Sequence, residues 1–92
     1  MKIKFTSNFL KCLDSQIEFI AQDKISAARK FKANILNKIK EIPVRPFSYR
    51  KSIFFDFENY RDLIFQGYIV VFRIENNEIE ILNLIKQNQI NF

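Results

Sequence analysis

Asp56 and Glu58 stand two residues apart beside a β-type stretch, a spacing at which two carboxylates can share a cation. Without further ligands next to them, the pair does not complete the oxygen shell that a hard cation takes. Cys12 is the single cysteine, so it closes no disulfide within the chain, and with no histidine anywhere it cannot anchor a zinc site of the usual kind. A small buried residue on a helix is what is left for it. Ser7, Ser26 and Ser48 lack a histidine to take their proton, which leaves capping and turn roles. Gly67 is the only glycine, too few for a loop that wraps a phosphate in backbone N–H groups. No metal and no organic cofactor is expected.

The positive charge is more informative, because it is uneven. Residues 1–51 hold twelve Lys and Arg against Asp14, Glu18, Asp23 and Glu41, a net of +8, whereas residues 52–92 hold Arg61, Arg73 and Lys86 against six acids, a net of −3. A field split in this way points to an acidic partner on the first half, either nucleic acid or an acidic protein segment. The split does not choose between the two.

Short, regular elements have to position these charges. The chain is one domain over residues 1–92, long enough to bury about 60 to 70% of the surface its unfolded form exposes. Hydrophobic residues at 48%, one Gly and two Pro describe a compact domain with short turns. The longest apolar runs, such as Tyr68 to Phe72, are far below the roughly 18 residues of a membrane span, and Met1 opens directly onto a strand-like pattern. The expectation is a cytoplasmic protein without a membrane partner.

Lys2-Ile3-Lys4-Phe5 alternates polar and apolar and reads as a strand, followed by Thr6 and Ser7 as capping oxygens. Phe9, Leu13, Ile17 and Ile20 then recur on one face of a helix from Asn8 to about Gln22. Asp23 to Ser26 breaks that pattern. Ala28, Phe31, Ile35, Ile39 and Ile42 mark a second helix, which Pro43 stops through its effect on the preceding residue, and Arg29, Lys30, Ala33, Asn37 and Lys40 form its opposite, basic side. Two helices joined this closely form an antiparallel hairpin.

Beyond the connector Pro43-Val44-Arg45-Pro46, four stretches rich in aromatic and β-branched residues follow, Ile53 to Phe57, Tyr60 to Phe65, Tyr68 to Ile74 and Ile79 to Ile85. Gln66-Gly67 and Glu75-Asn76-Asn77 are the tight turns between the last three. The fold class is α+β, with an N-terminal strand and an antiparallel helical hairpin packed on a C-terminal antiparallel sheet of three to four strands. Alternation sends Tyr68, Val70, Phe72 and Ile74 to the covered face. The last strand is apolar on both sides, with Ile79, Ile81 and Ile85 on one and Leu82 and Leu84 on the other, so the second side calls for a partner.

A basic two-helix hairpin followed by Tyr60-Arg61-Asp62-Leu63-Ile64, then by Gly67-Tyr68-Ile69-Val70-Val71-Phe72-Arg73-Ile74 and an Ile/Leu-rich strand, resembles the RelE/ParE toxins of bacterial type II toxin–antitoxin pairs, the ParE-like branch above all. The resemblance spans nearly the whole chain and rests on order, spacing and length rather than on one motif. It implies a growth-inhibiting toxin silenced by an antitoxin, for which Leu82 and Leu84 are the candidate contacts. ParE-type members of the family are associated with inhibition of DNA gyrase, and RelE-type members cut messenger RNA on the ribosome. Fold alone does not separate them.

Cleavage through the ribose 2′-hydroxyl needs a base, positive charge on the developing phosphorane and an acid for the leaving oxygen. Laid along the RelE-like pattern, the first basic position falls on Arg61, but the next falls on Leu63, the one after the turn on Ile69, and the one after the last strand near Gln89. No counterpart of the C-terminal tyrosine is found by Phe92. The preferred reading is therefore a ParE-like toxin that works by protein–protein contact on gyrase, with Arg61, Arg73 and Lys86 as target-binding candidates. One alternative is a ribosome-dependent nuclease using Arg61, Tyr68 and Lys86. A basic nucleic-acid-binding domain is the second alternative.

Overall fold

The computed structural model describes residues 1–87. In chain order the elements are β1 (Lys2–Phe5), α1 (Ser7–Asp23), α2 (Ile25–Lys40), two short 3-10 turns (Ile42–Val44 and Pro46–Ser48), β2 (Arg50–Lys51), β3 (Tyr60–Phe65), β4 (Tyr68–Glu75) and β5 (Glu78–Lys86).

Thr6 starts α1 as expected, its hydroxyl accepting the Phe9 N–H at 3.2 Å. The same hydroxyl donates to the Ile81 carbonyl at 2.8 Å, which ties the helix start to β5. The break between the helices is narrower than the sequence predicts. Lys24 alone, in extended conformation, closes α1 with its N–H on Ile20 O and opens α2 with its carbonyl to Ala28 N. The second helix ends at Lys40, and Ile42 is buried in the 3-10 turn that carries Pro43.

The sheet has the order β1-β5-β4-β3-β2. Its two central hairpins turn on Gln66-Gly67 and Asn76-Asn77, all four residues having positive φ (47° and 81°, 52° and 60°). Positive φ at both turn residues is the geometry whose twist matches that of the flanking strands. β1 lies parallel to β5, with Ile3 beside Ile79 and Phe5 beside Ile81, so the sheet is mixed and five-stranded.

Two strand expectations are corrected. The stretch Ile53 to Phe57 is not a strand: pairing stops after the two residues of β2, and residues 52–59 leave the sheet and return over its face. The reason is local, because Asp62 on β3 draws the segment inward by accepting the Ile53 N–H at 3.0 Å.

The second correction concerns the faces of β5. A β-bulge opposite Val71 and Phe72 shifts the register, so that Asn83 lies beside Val71 and Ile81 beside Phe72, with Leu82 as the extra residue. An extra residue reverses the alternation beyond it. Ile79, Ile81 and Leu84 therefore join the core, while Ile85, across from Ile69, lies on the other face.

That core is built by Phe9 and Leu13 of α1 and Phe31, Ile35 and Ile39 of α2 against Leu63, Val70, Phe72 and Ile81 of the sheet. Tyr68 belongs to it, its ring centroid 4.9 Å from that of Phe31. Cys12 packs at its margin, where its thiol donates to Asn83 Oδ1 at 3.3 Å.

Candidate functional site

The face of the sheet away from the helices is roofed in part by the 52–59 segment. Three donors hold that roof to Asp62, whose side chain is fully buried: Arg50 Nε and Nη2 reach Oδ2 at 3.3 and 3.2 Å, and the Ile53 N–H completes the set. Ser52 fixes the turn by accepting the Phe54 N–H at 3.1 Å and by donating its own N–H to Tyr60 O at 2.9 Å. Further along, Phe55 stacks on Tyr60 with centroids 4.5 Å apart, and Phe57 tilts against the same ring at 5.7 Å.

Between this roof and β5 lies a groove of about 420 Å³ lined by Asn8, Phe54, Phe55, Tyr60, Val71, Leu82, Asn83 and Ile85. Its lining is mostly apolar and includes the amides of Asn8 and Asn83. Ile53, Phe54, Phe55, Phe57 and Ile64 are exposed around it, a concentration of apolar surface that a lone domain of this size does not need. Leu82, an antitoxin-contact candidate from the sequence, lines this groove, as do Phe54 and Phe55, which the sequence reading did not single out. Their signal was present, since three apolar residues in succession, Ile53-Phe54-Phe55, do not alternate as a half-covered strand does.

The other residues singled out from the sequence do not converge. Leu84 sits on the opposite side of the sheet from the groove, 8% exposed and within the core. Arg61 points to the helix side, paired across the strands with Phe72. Its side chain is 13% exposed, and all three guanidinium nitrogens are occupied. Nε donates to Glu58 O at 2.8 Å, Nη1 to Tyr49 O and Phe47 O, and Nη2 to Glu58 Oε2 at 2.9 Å, with the Phe47 ring 5.0 Å from the guanidinium carbon.

Arg73 lies on the open face at one end of the sheet, ion-paired with Glu80 and with Nε 3.2 Å from Glu75 Oε2. The hydrogen bond that its Nη1 donates to the Tyr60 hydroxyl, reinforced by Glu80 and Glu75, holds its guanidinium above the ordinary value. Lys86 is at the far end and on the helix side, opposite Tyr68, with its ammonium 5.2 Å from the Phe19 ring centroid. Arg61 and Tyr68 lie four residues apart along the β3–β4 register, roughly 13 Å at the rise of a strand. Tyr68 is buried, and desolvation raises its phenol above the ordinary 10.0.

Leu63 and Ile69, which stand where the RelE-like pattern has basic residues, are both buried at 6% and 1% exposure. Gln89, the third such position, lies outside the described residues. Asp56 and Glu58 do not face each other across a cation: both reach Lys51, at 3.0 and 3.9 Å, and Glu58 also holds Arg61. Among the described residues there is no cluster of three or more metal-ligating side chains.

The sequence model of the family described as "ParE toxin of type II toxin-antitoxin system, parDE" matches residues 3–91. A solved structure described as "Chromosomal ParDE TA system from P. aeruginosa" contains a chain that superposes with a TM-score of 0.77 at 19% sequence identity, over 94% of this chain and 95% of that one. Among curated proteins no sequence matches.

Proposed function

The chain belongs to the ParE toxin family of type II toxin–antitoxin systems, and from that premise we propose that it inhibits DNA gyrase by protein–protein contact and is silenced by a cognate antitoxin that fills the open-face groove. The observation that carries the choice of mechanism is the engagement of Arg61. The one arginine aligned with a nuclease-type strand spends four of its five N–H donors on three backbone carbonyls and Glu58, so only a single Nη2 N–H is left for a phosphorane. The other two nuclease candidates, Tyr68 and Lys86, lie at the opposite end of β4 from it.

Antitoxin binding is supported by the groove itself, where a mostly apolar lining with Phe54, Phe55, Leu82 and Ile85 suits an amphipathic segment that folds on contact. Of the three charges assigned to target contact, Arg61 and Arg73 have acid partners. Among the described residues no acid pairs with Lys86, which makes it the charge best placed to meet a target. No described helix is long and apolar enough to cross a membrane, and the reading places the toxin in the cytoplasm with its target.

The test is to induce the chain alone and then together with the small protein encoded beside it. Induction alone should stop DNA replication and trigger the damage response before translation falls, the purified chain should inhibit gyrase supercoiling, and co-expression should relieve both effects and yield a co-purifying complex. Codon-phased cleavage of ribosome-bound message with gyrase unaffected would overturn the reading in favour of the nuclease.

A further inference from the structure

From Lys24 to Lys40 the chain carries six basic residues and no acid, Lys24, Arg29, Lys30, Lys32, Lys38 and Lys40. All six are exposed. Lys38 reaches Glu41 at 3.6 Å, and that is the one ion pair these six make among the described residues. The other side of α2 is committed to the core through Ala28, Phe31, Ile35 and Ile39, so the cationic side is fixed outward. Neither the groove nor the residues assigned to the target and the antitoxin make use of it.

We propose that the outward face of α2 is a binding surface for double-stranded DNA, engaged through the phosphate backbone and without base sequence preference. Spacing supports this. Arg29 and Lys30 lie at one end of the face and Lys40 at the other, about 15 Å apart along the axis, with Lys32 and Lys38 on its flanks. A major groove is about 12 Å wide, so a helix laid across it sets one cationic end on each flanking backbone, and the long side chains take up the difference. Ala33 and Asn37, exposed between the two ends, are small and uncharged and allow close approach.

Composition argues against an acidic peptide as the occupant. A helical peptide partner anchors through apolar residues at helical spacing. Along α2 the exposed positions are Ile25, Ser26, Arg29, Lys30, Lys32, Ala33, Asn37, Lys38 and Lys40, where the apolar side chains are Ile25, at the first position of the helix, and the small Ala33, with no exposed apolar residue at helical spacing beyond them. Such a face offers charge along its length and no series of apolar anchors, which matches a phosphate backbone. The inference does not depend on which molecule the toxin inhibits.

The experiment measures binding of the full 92-residue chain to a fluorescein-labelled mixed-sequence DNA duplex by anisotropy across a salt series. Each phosphate neutralised contributes about −0.9 to the slope of log K against log salt. The double variant Lys30→Gln/Lys40→Gln should flatten that slope by about 2, while Lys2→Gln/Lys4→Gln, with the same loss of charge on β1, should leave it unchanged. Circular dichroism checks that both variants keep the fold, which is expected because all four side chains are exposed. Three results would overturn the proposal: no binding at low salt, equal flattening by both variants, or polyglutamate displacing the chain as well as unlabelled duplex does.

Discussion

Leu82 and Leu84 stand two residues apart on β5 and serve opposite faces of the sheet, Leu82 lining the open groove and Leu84 packed in the core. The bulge at Leu82 separates them, and it lets two similar substitutions be told apart.

Leu82→Asp is expected to leave the fold intact and to weaken antitoxin binding by more than tenfold, since burying a leucine contributes roughly 1.5–3 kcal/mol. Leu84→Ala should instead cost about 2–5 kcal/mol of stability by opening a core cavity. Titration calorimetry and urea unfolding on both variants check this. If Leu82→Asp binds as tightly as the parent, the groove is not the antitoxin site.

Arg61→Ala should behave as a structural lesion. It removes hydrogen bonds made by a charged group, each worth about 1.5–3 kcal/mol, and leaves the carbonyls of Phe47, Tyr49 and Glu58 without that donor. Toxicity should fall with the folded fraction, and gyrase inhibition per folded molecule should change little. A large loss of inhibition at unchanged stability would place Arg61 in direct contact with the target.

Asp62→Asn tests the roof over the groove. An amide gives up the ion pair to Arg50 and, where its nitrogen faces Ile53, an acceptor as well. The expected result is faster proteolysis within residues 52–59 and weaker antitoxin binding, at a stability cost of about 1–3 kcal/mol. Limited proteolysis followed by mass spectrometry would detect it, and an unchanged cleavage rate would show that the segment is held by its aromatic contacts alone.

Alkaline pH should destabilise the protein through Tyr68. Burial raises the phenol above 10.0, and Tyr49 is raised by burial and then by Glu41. The folded state therefore keeps its proton more tightly than the unfolded chain does, so stability is fully present below pH 10 and declines as pH rises toward the raised folded value. In thermal melts from about pH 8 to pH 11, Tyr68→Phe should show a shallower decline than the parent. Identical profiles would assign the alkaline loss to other groups.

Much of this architecture is legible in the residues. The helices follow from Phe9-Leu13 and Phe31-Ile35-Ile39 spacing, and the hairpins from Gln66-Gly67 and Asn76-Asn77, because each depends on contacts close in sequence. What the pattern does not carry is long-range. The aromatic run at 53–57 has the composition of a strand, yet a single carboxylate nine residues later decides that it becomes a roof. Alternation along β5 reads correctly to Ile81 and then inverts, since period-two reasoning assumes an unbroken register. The engagement of Arg61 by the carbonyls of Phe47 and Tyr49 depends on how a connector with two prolines folds back, which residue type alone does not encode.

Pairing of β1 with β5 has a consequence for how the molecule comes to exist in a cell. Residues 2–5 leave the ribosome well before residues 78–81 and have no strand to lie against until those follow them. The same event ties the start of α1 to the sheet, since Thr6 and Asn8 spend their side-chain donors on the carbonyls of Ile81 and Leu82. A polypeptide still being translated through β5 thus has neither a closed sheet nor a complete groove. The groove proposed for the antitoxin therefore comes into being only once β5 has been made, and a partner that folds into it has to meet a closed sheet.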